Sequence, residues 1–337
     1  MKKMDHILET INLSIGYTID NKQVAIQSKL NLKLKKGELC CLIGPNGVGK
    51  STLLKTLSKQ LPVLDGQVII AHNSILDYNN EQMAKKLSVV LTESIQVPNL
   101  KVNELVAMGR FPYTNFWGKL TEKDQQIVDQ ALSAIELQHL ANRNLIELSD
   151  GEKQKCVIAK ALAQDTSLIL LDEPTAFLDF PSKMAILSEL RKIAHKNNVA
   201  IILSTHDLEL ALKMADLIWL FPKKMECITG IPEDLVLSGA ISNAFSNETI
   251  TYDLKTAHFV QKAENKDVVN IEGNSLETLW LKRTLIRKGI SPQSNKKNKL
   301  KAVFDSDEKK FKLYLKSELI GSYGTIQQTI LAIEKHT

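Results

Sequence analysis

The sequence predicts an α/β chain, a buried parallel sheet flanked by helices, followed by a small α+β domain. Three observations carry this. The apolar run Leu39 to Ile43 leads through a glycine-rich turn into a helix beginning near Lys50. Two further apolar runs, "SLILLDEP" and "VAIILSTHD", have the length of buried strands and end in acids or a histidine, as strands covered on both faces do. Beyond about residue 260 charge and patterning both change, which divides the chain at 1–260 and 261–337.

The 337 residues, 44% of them hydrophobic, suffice for two domains with a sizeable core, and 24% charged residues argue against wholesale disorder. No apolar run approaches the roughly 18 residues needed to span a bilayer. The N-terminus, "MKKMDHILETINLSIGY", meets acids and polar residues before any apolar core develops, so it does not read as a signal peptide. The expectation is a cytosolic chain that reaches a membrane only through a partner. Cys40 and Cys41 are adjacent in a strand and point to opposite faces, and no CxxC or His/Cys cluster occurs. The four cysteines therefore read as buried structural thiols.

Gly44 to Ser51 spells G-x-x-x-x-G-K-S between a strand and a helix. Gly44, Gly47 and Gly49 let the backbone curl so that successive N–H groups converge on phosphate oxygens. Lys50 places a compact positive charge on the β and γ phosphates, and the Ser51 hydroxyl can ligate Mg²⁺. A nucleoside triphosphate also needs an acid on the metal side. The run Leu168 to Leu171 ends in Asp172, suited to the Mg²⁺ shell, and Glu173, suited to polarising the attacking water. The following apolar strand ends in His206, which reads as a group at the γ-phosphate.

A second helix start, Ser149-Asp150-Gly151-Glu152, offers a Ser-X-Gly turn of the kind that suits a phosphate, about a hundred residues after the first loop. These parts in this order resemble the ATP-binding cassette (ABC) ATPases over residues 7 to about 260. The matching pieces are the Walker A loop at 44–51, the signature at 148–152, Walker B at 168–173, the D-loop around Leu178-Asp179 and the switch His206. The resemblance implies a P-loop NTPase cassette: a RecA-like core sheet, N-terminal antiparallel strands and an inserted helical subdomain at about 93–165. It implies ATP and Mg²⁺ as cofactors, with the nucleotide cradled by Gly44, Pro45, Asn46, Gly47, Val48, Gly49, Lys50, Ser51 and Thr52 and with Tyr17 stacked on adenine. Two chains of this family pair head to tail, so the resemblance assigns Ser149 and the Gly151 N–H to the partner's ATP and makes the working unit a homodimer.

Between Walker A and the signature lies "GRFPYTNFWGKLTEKD", which looks like the importer ATPases that serve iron–siderophore, haem and cobalamin permeases. Asp124 to Leu137 has helical periodicity, with Ile127, Val128, Ala131, Leu132 and Ile135 as its apolar face, and Thr121 with Asp124 fits an N-cap and an acid at N3. Phe111, Pro112, Tyr113, Phe116 and Trp117 read either as a local mini-core or as a dock for a permease's coupling helix. Two positions depart from the family. Thr92, followed by Glu93, stands where a metal-sensing glutamine is typical, so Thr92 is a candidate for the Mg²⁺ shell with Glu93 as the alternative. Asp150 and Glu152 bring negative charge to the signature, which helps the helix but opposes a nearby phosphate.

The last 77 residues hold 15 Lys/Arg against 9 Asp/Glu, whereas the rest hold 28 against 29. "DVVNIEG", "KAVFD" and "KFKLYLK" read as strands, "SLETLWLKRTLIRKG" and "TIQQTILAIEKH" as helices, and "SPQSNKKNK" as a polar turn. The positive balance fits a solvated face first and anionic lipid next, and without interleaved aromatics it does not suggest nucleic acid. The reading is therefore an importer ATPase on the cytoplasmic face of the cell membrane, pairing with a polytopic permease and served indirectly by an extracytoplasmic substrate-binding protein. The alternatives are an ABC ATPase for another cargo, a soluble ABC ATPase acting on DNA or ribosomes, and a regulatory ATP-binding module.

Overall fold

Strands without a polar face cannot lie at a surface, and β4 (Leu39–Ile43) has every residue buried. It follows β1 (His6–Ile19), β2 (Lys22–Leu30) and β3 (Lys33–Lys35) and leads into α1 (Lys50–Leu57). Next come β5 (Asp65–Ile70), β6 (Asn73–Ser74), α2 (Asn80–Ala84) and β7 (Leu87–Val90), then three helices, α3 (Val102–Ala107), α4 (Glu122–Ala134) and α5 (Asp150–Ala163). The first unit closes with β8 (Leu168–Asp172), α6 (Phe180–Asn197), β9 (Ala200–Thr205), α7 (Leu208–Met214), β10 (Leu217–Leu220), β11 (Ile228–Gly230), α8 (Pro232–Leu237) and α9 (Ala240–Phe245). The structure is a computed structural model. It describes residues 6–20, 22–91, 97, 99–115, 118–176, 178–223, 226–246, 250–253, 258–261, 267–293 and 300–336.

The chain divides into two units, Met1–Phe245 and Ser246–Thr337. In the first, an antiparallel sheet runs β2-β1-β5-β6 with β3 on β1. The core sheet runs β11-β10-β4-β9-β8-β7 and is parallel except at β11. The α/β cassette fold expected from the sequence is thus present. β9 lies between β4 and β8, so the C-terminal ends of three buried strands open side by side, where open parallel sheets take their ligands.

Between β7 and β8, α3, α4 and α5 pack on one another. The expected N-cap is there: Thr121 and Asp124 form a reciprocal capping box on α4. Of the apolar face read from the sequence, Val128, Ala131, Leu132 and Ile135 are buried and Ile127 is half-buried at the edge. Arg110, 4% exposed on a short 3₁₀ turn, donates through Nε to Asp124 Oδ1 at 2.9 Å and through Nη1 to the Ala163 carbonyl at 2.9 Å. One guanidinium thus ties the turn to α4 and to the end of α5.

The second unit holds β12 (Ile250–Asp253) paired antiparallel with β13 (His258–Gln261), so both strands lie with the second unit and not before a boundary at 260. Then come β14 (Asp267–Glu272), α10 (Leu276–Arg287), β15 (Ile290–Gln293), β16 (Leu300–Asp305), β17 (Lys310–Leu315), β18 (Glu318–Tyr323) and α11 (Ile326–Glu334), with the sheet in the order β15-β14-β16-β17-β18. Val269, Ile271, Leu281, Leu285, Phe311, Leu313 and Ile333 form its core. The helices and three strands read from the sequence are present, and β15 and β18 were missed. The stretch read as a polar turn from Ser291 begins within β15, which pairs parallel to β14. Pro292 masks it locally, but Pro is tolerated on an edge strand. Among the described residues no helix is long and apolar enough to cross a membrane.

Arg110→Ala would leave the buried Asp124 carboxylate short of a partner, and a loss of about 3–5 kcal/mol is expected for breaking such a pair, read as a lower unfolding midpoint of the first unit. The Thr121 hydroxyl and N–H, and then Arg110, hold Asp124 down at about 2 against its ordinary 3.8. A depressed carboxylate adds stability that is complete above the ordinary value and lost as pH falls towards the folded one. The stability gap between the parent and Asp124→Asn should therefore be constant near neutrality and close as pH falls from 3.8 towards about 2.

Candidate nucleotide-binding and hydrolysis site

The glycine loop leaves β4 at Gly44 and enters α1 at its N-cap, Gly49, whose φ of 102° lies in the left-handed region that glycine tolerates. A Cβ at Gly44 would drive into the Phe221 carbonyl oxygen. The loop can therefore start only where a residue without a side chain sits. No side chain caps α1, so its first N–H groups are left for an anion. Asn46 and Gly47 are exposed at the tip, and Val48, Gly49 and Lys50 are buried behind it.

Lys50 Nζ donates to the Gly44 carbonyl at 2.7 Å and to the Pro45 carbonyl at 3.1 Å. Burial pulls its pKa below the ordinary lysine value, against the opposing pull of the Glu173 and Asp172 charges. Ser51 Oγ donates to Asp172 Oδ1 at 3.1 Å, which brings together the hydroxyl and the carboxylate that the sequence placed on the metal side. Glu173 follows β8 with a φ of 52°, a region that costs a non-glycine residue about 1–2 kcal/mol. Its N–H donates to Ser204 Oγ at 3.0 Å, and its carboxylate Oε1 contacts His206 Nε2. Glu173 and the switch histidine are thus neighbours, although they follow different strands, β8 and β9.

Tyr17 on β1, 40% exposed, shares a hydrogen bond of 3.0 Å between its hydroxyl and Thr52 Oγ1 at the start of α1. Two residues at this site were not read from the sequence. Gln27 on β2 donates through Nε2 to the Val48 carbonyl at 3.0 Å and ties the loop to the antiparallel sheet. Ser204 on β9 donates through Oγ to Asp172 Oδ1 at 2.6 Å. Gln27 stands in a mostly exposed strand with nothing in its sequence surroundings to mark it, whereas Ser204 is visible as the first polar residue after the apolar run Val199 to Leu203.

The signature stands at the N-terminus of α5. Ser149 is the N-cap, and Glu152 answers it in a capping box: Ser149 N and Oγ donate to Glu152 Oε2 at 2.8 and 2.7 Å, and Glu152 N donates back to Ser149 Oγ at 3.3 Å. The Ser149 hydroxyl and N–H are also what hold the Glu152 carboxyl below its ordinary pKa. The charge at Glu152 is therefore engaged by its own helix start, whereas Asp150 lies 3.7 Å from Lys153. A Cβ on Gly151 would come within 3.1 Å of Leu178 Cδ2, so signature and D-loop lie against each other in one chain. Thr92 and Glu93 lie outside the described residues, as do Phe116 and Trp117. Burial drives the thiols of Cys41, Cys156 and Cys227 up to about 12, and among the described residues no cluster of three or more His, Cys, Asp and Glu side chains could hold a metal ion.

A strand–loop–helix phosphate cradle beside an Asp-Glu strand end and a histidine defines a P-loop cassette of the ABC class. Comparison with known proteins agrees: the ABC transporter family profile matches residues 27–176. An uncharacterised ABC transporter ATP-binding protein of Methanocaldococcus jannaschii is 41% identical over 253 residues, 75% of this chain and 83% of that protein. A siderophore transport system ATP-binding protein of Bacillus subtilis, YusV, is 35% identical over 73% of this chain and 88% of its own length. Among solved structures, a chain from a metal-chelate type ABC transporter in an inward-facing conformation superposes with a TM-score of 0.61 at 29% identity, covering 71% of this chain and 89% of that one. The chain belongs to the ABC transporter ATP-binding proteins, ATPases that bind ATP.

Gly44→Ala should displace the loop and abolish ATP binding, with Lys50→Ala doing the same by loss of the ammonium. Titration with a fluorescent ATP analogue checks both. Tyr17→Phe should lose only the hydroxyl bond to Thr52, an effect of about 0.5–1.5 kcal/mol, and should keep the ring and nucleotide binding.

Proposed function

We propose that this chain is the ATPase subunit of an importer for iron–siderophore, haem or cobalamin-type complexes. Two copies would work under a polytopic permease on the cytoplasmic face of the membrane, with a separate extracytoplasmic substrate-binding protein delivering the cargo. The observation that carries the reading is the turn Gly109 to Tyr113. Buried Arg110 anchors it, the Tyr113 ring lies 4.0 Å from the guanidinium carbon, and Phe111 is left 59% exposed. A turn held this firmly beneath an outward aromatic suits a helix-in-groove contact with a permease. The siderophore relative and the metal-chelate type structure support the cargo class.

In this reading Gly44 to Thr52 cradle the phosphates and Tyr17 presents its ring to adenine. Ser51 and Asp172 are hard oxygen donors from two elements and fit Mg²⁺, which prefers one or two such groups with phosphates and water completing its shell. When bound, the ion neutralises charge on the β and γ phosphates. Glu173 takes the proton of the attacking water, and His206 holds that carboxylate and faces the γ-phosphate. Ser149 and the Gly151 N–H close over the ATP of the other copy, so that ATP bridges the two and hydrolysis releases them, biasing the permease between two states. The second unit is an accessory domain whose basic surface faces solvent.

Affinity purification of the tagged chain from detergent-solubilised native membranes should recover a polytopic permease in equal amount. Recovery only from the soluble fraction, with ribosomes, DNA or nothing, would sink the importer reading. Glu173→Gln should stop turnover and accumulate an ATP-bound dimer on size exclusion. Turnover at the parent's rate would remove Glu173 from its assigned place.

A further inference from the structure

We propose that Ser204 is a positioning residue that couples the metal side of the site to the water side. This rests on the roles given above to Asp172 and Glu173. Ser204 is fully buried in β9, in register with Leu42 of β4 on one flank and Asp172 of β8 on the other. A buried hydroxyl must find partners, and both of those it finds belong to the site. Its Oγ donates to Asp172 Oδ1 at 2.6 Å and accepts the N–H of Glu173 at 3.0 Å.

The first bond helps to fix the carboxylate that also receives Ser51, at 3.1 Å. Ser51 and Ser204 approach one oxygen, Oδ1, from α1 and from β9, so the plane of the carboxylate is set from two elements. The second bond holds the backbone of Glu173 where its φ is 52°, the conformation that turns its side chain to His206. Without the hydroxyl, Asp172 Oδ1 loses its 2.6 Å donor and the Glu173 peptide loses its acceptor. One small side chain in the middle strand thus holds two consecutive residues with different tasks. Supporting bonds around a metal's carboxylate are typically worth 10–100-fold in metal affinity or activity.

The test uses the full chain and two readouts: the affinity of a fluorescent ATP analogue in EDTA, and the Mg²⁺ concentration giving half-maximal binding and turnover. Ser204→Ala should bind metal-free nucleotide as the parent does, while its Mg²⁺ half-saturation rises and its kcat falls, each by about 10–100-fold. Ser204→Thr keeps a hydroxyl and should stay close to the parent on every readout. A general loosening would instead weaken metal-free binding in step with the metal-dependent values, and that result overturns the proposal. Parent-like Mg²⁺ dependence and kcat in Ser204→Ala overturn it as well. Should Ser204→Ala fail to fold, Ser204→Cys fills the site with a somewhat larger atom, loses most of the hydrogen bonding and carries the same expectations. A parent that hydrolyses no ATP with Mg²⁺ overturns the roles of Asp172 and Glu173, and a working parent with an unaffected variant overturns Ser204 alone.

Discussion

The parallel register of β4, β9 and β8 is the constraint on which the site depends. Ile43 pairs with Thr205, and Asp172 pairs with Ser204, so the three strands end at one level. Every residue of the three is buried. Their apolar side chains hold them inside the core sheet, and the residues at and just beyond their C-terminal ends are the ones that can be polar. The glycine loop, the Asp-Glu pair and His206 are those residues. They meet because the strands meet, and no local feature of the chain brings them together.

The loop itself is held from both sheets. Gly44 packs under the Phe221 carbonyl at the end of β10, and Gln27 from β2 holds the Val48 carbonyl. Tyr17 from β1 bonds to Thr52 at the start of α1. The antiparallel sheet thus contributes to the phosphate loop as well as to the core. Lys50 is buried with its charge answered by two loop carbonyls and by the nearby acids, which is how an ammonium can be kept out of water.

Helix starts supply the rest of the polar framework. The same capping box, a hydroxyl at the N-cap and an acid at N3, opens α4 with Thr121 and Asp124 and α5 with Ser149 and Glu152. In α4 the acid also receives Arg110 and so becomes a tie between elements. In α5 the acid closes on Ser149, the residue proposed above to meet the ATP of the other copy. A substitution that looks like added repulsion in sequence is, in the folded chain, largely engaged by its own helix.

Local chemistry was legible because it is local. The spacing Gly44 to Ser51, the Asp172-Glu173 pair after an apolar run, the Thr121 cap, and the helices at Leu276 and Ile326 all lie within one turn or one element. The α/β class could be read from them because buried strands and glycine turns leave clear patterns, and the cassette followed from the resemblance of the ordered motifs. Strand order, register and long-range ties could not. The sequence by itself determined where the glycine loop and the acid pair fall and which apolar runs would be buried, through side-chain chemistry and periodicity. Only the tertiary structure decided that β9 lies between β4 and β8, that Ser204 spans Asp172 and Glu173, and that Arg110 joins α4 to α5. Each of these depends on pairing across 14 to 162 residues of chain, and such distance leaves no mark on the pattern of neighbouring residues.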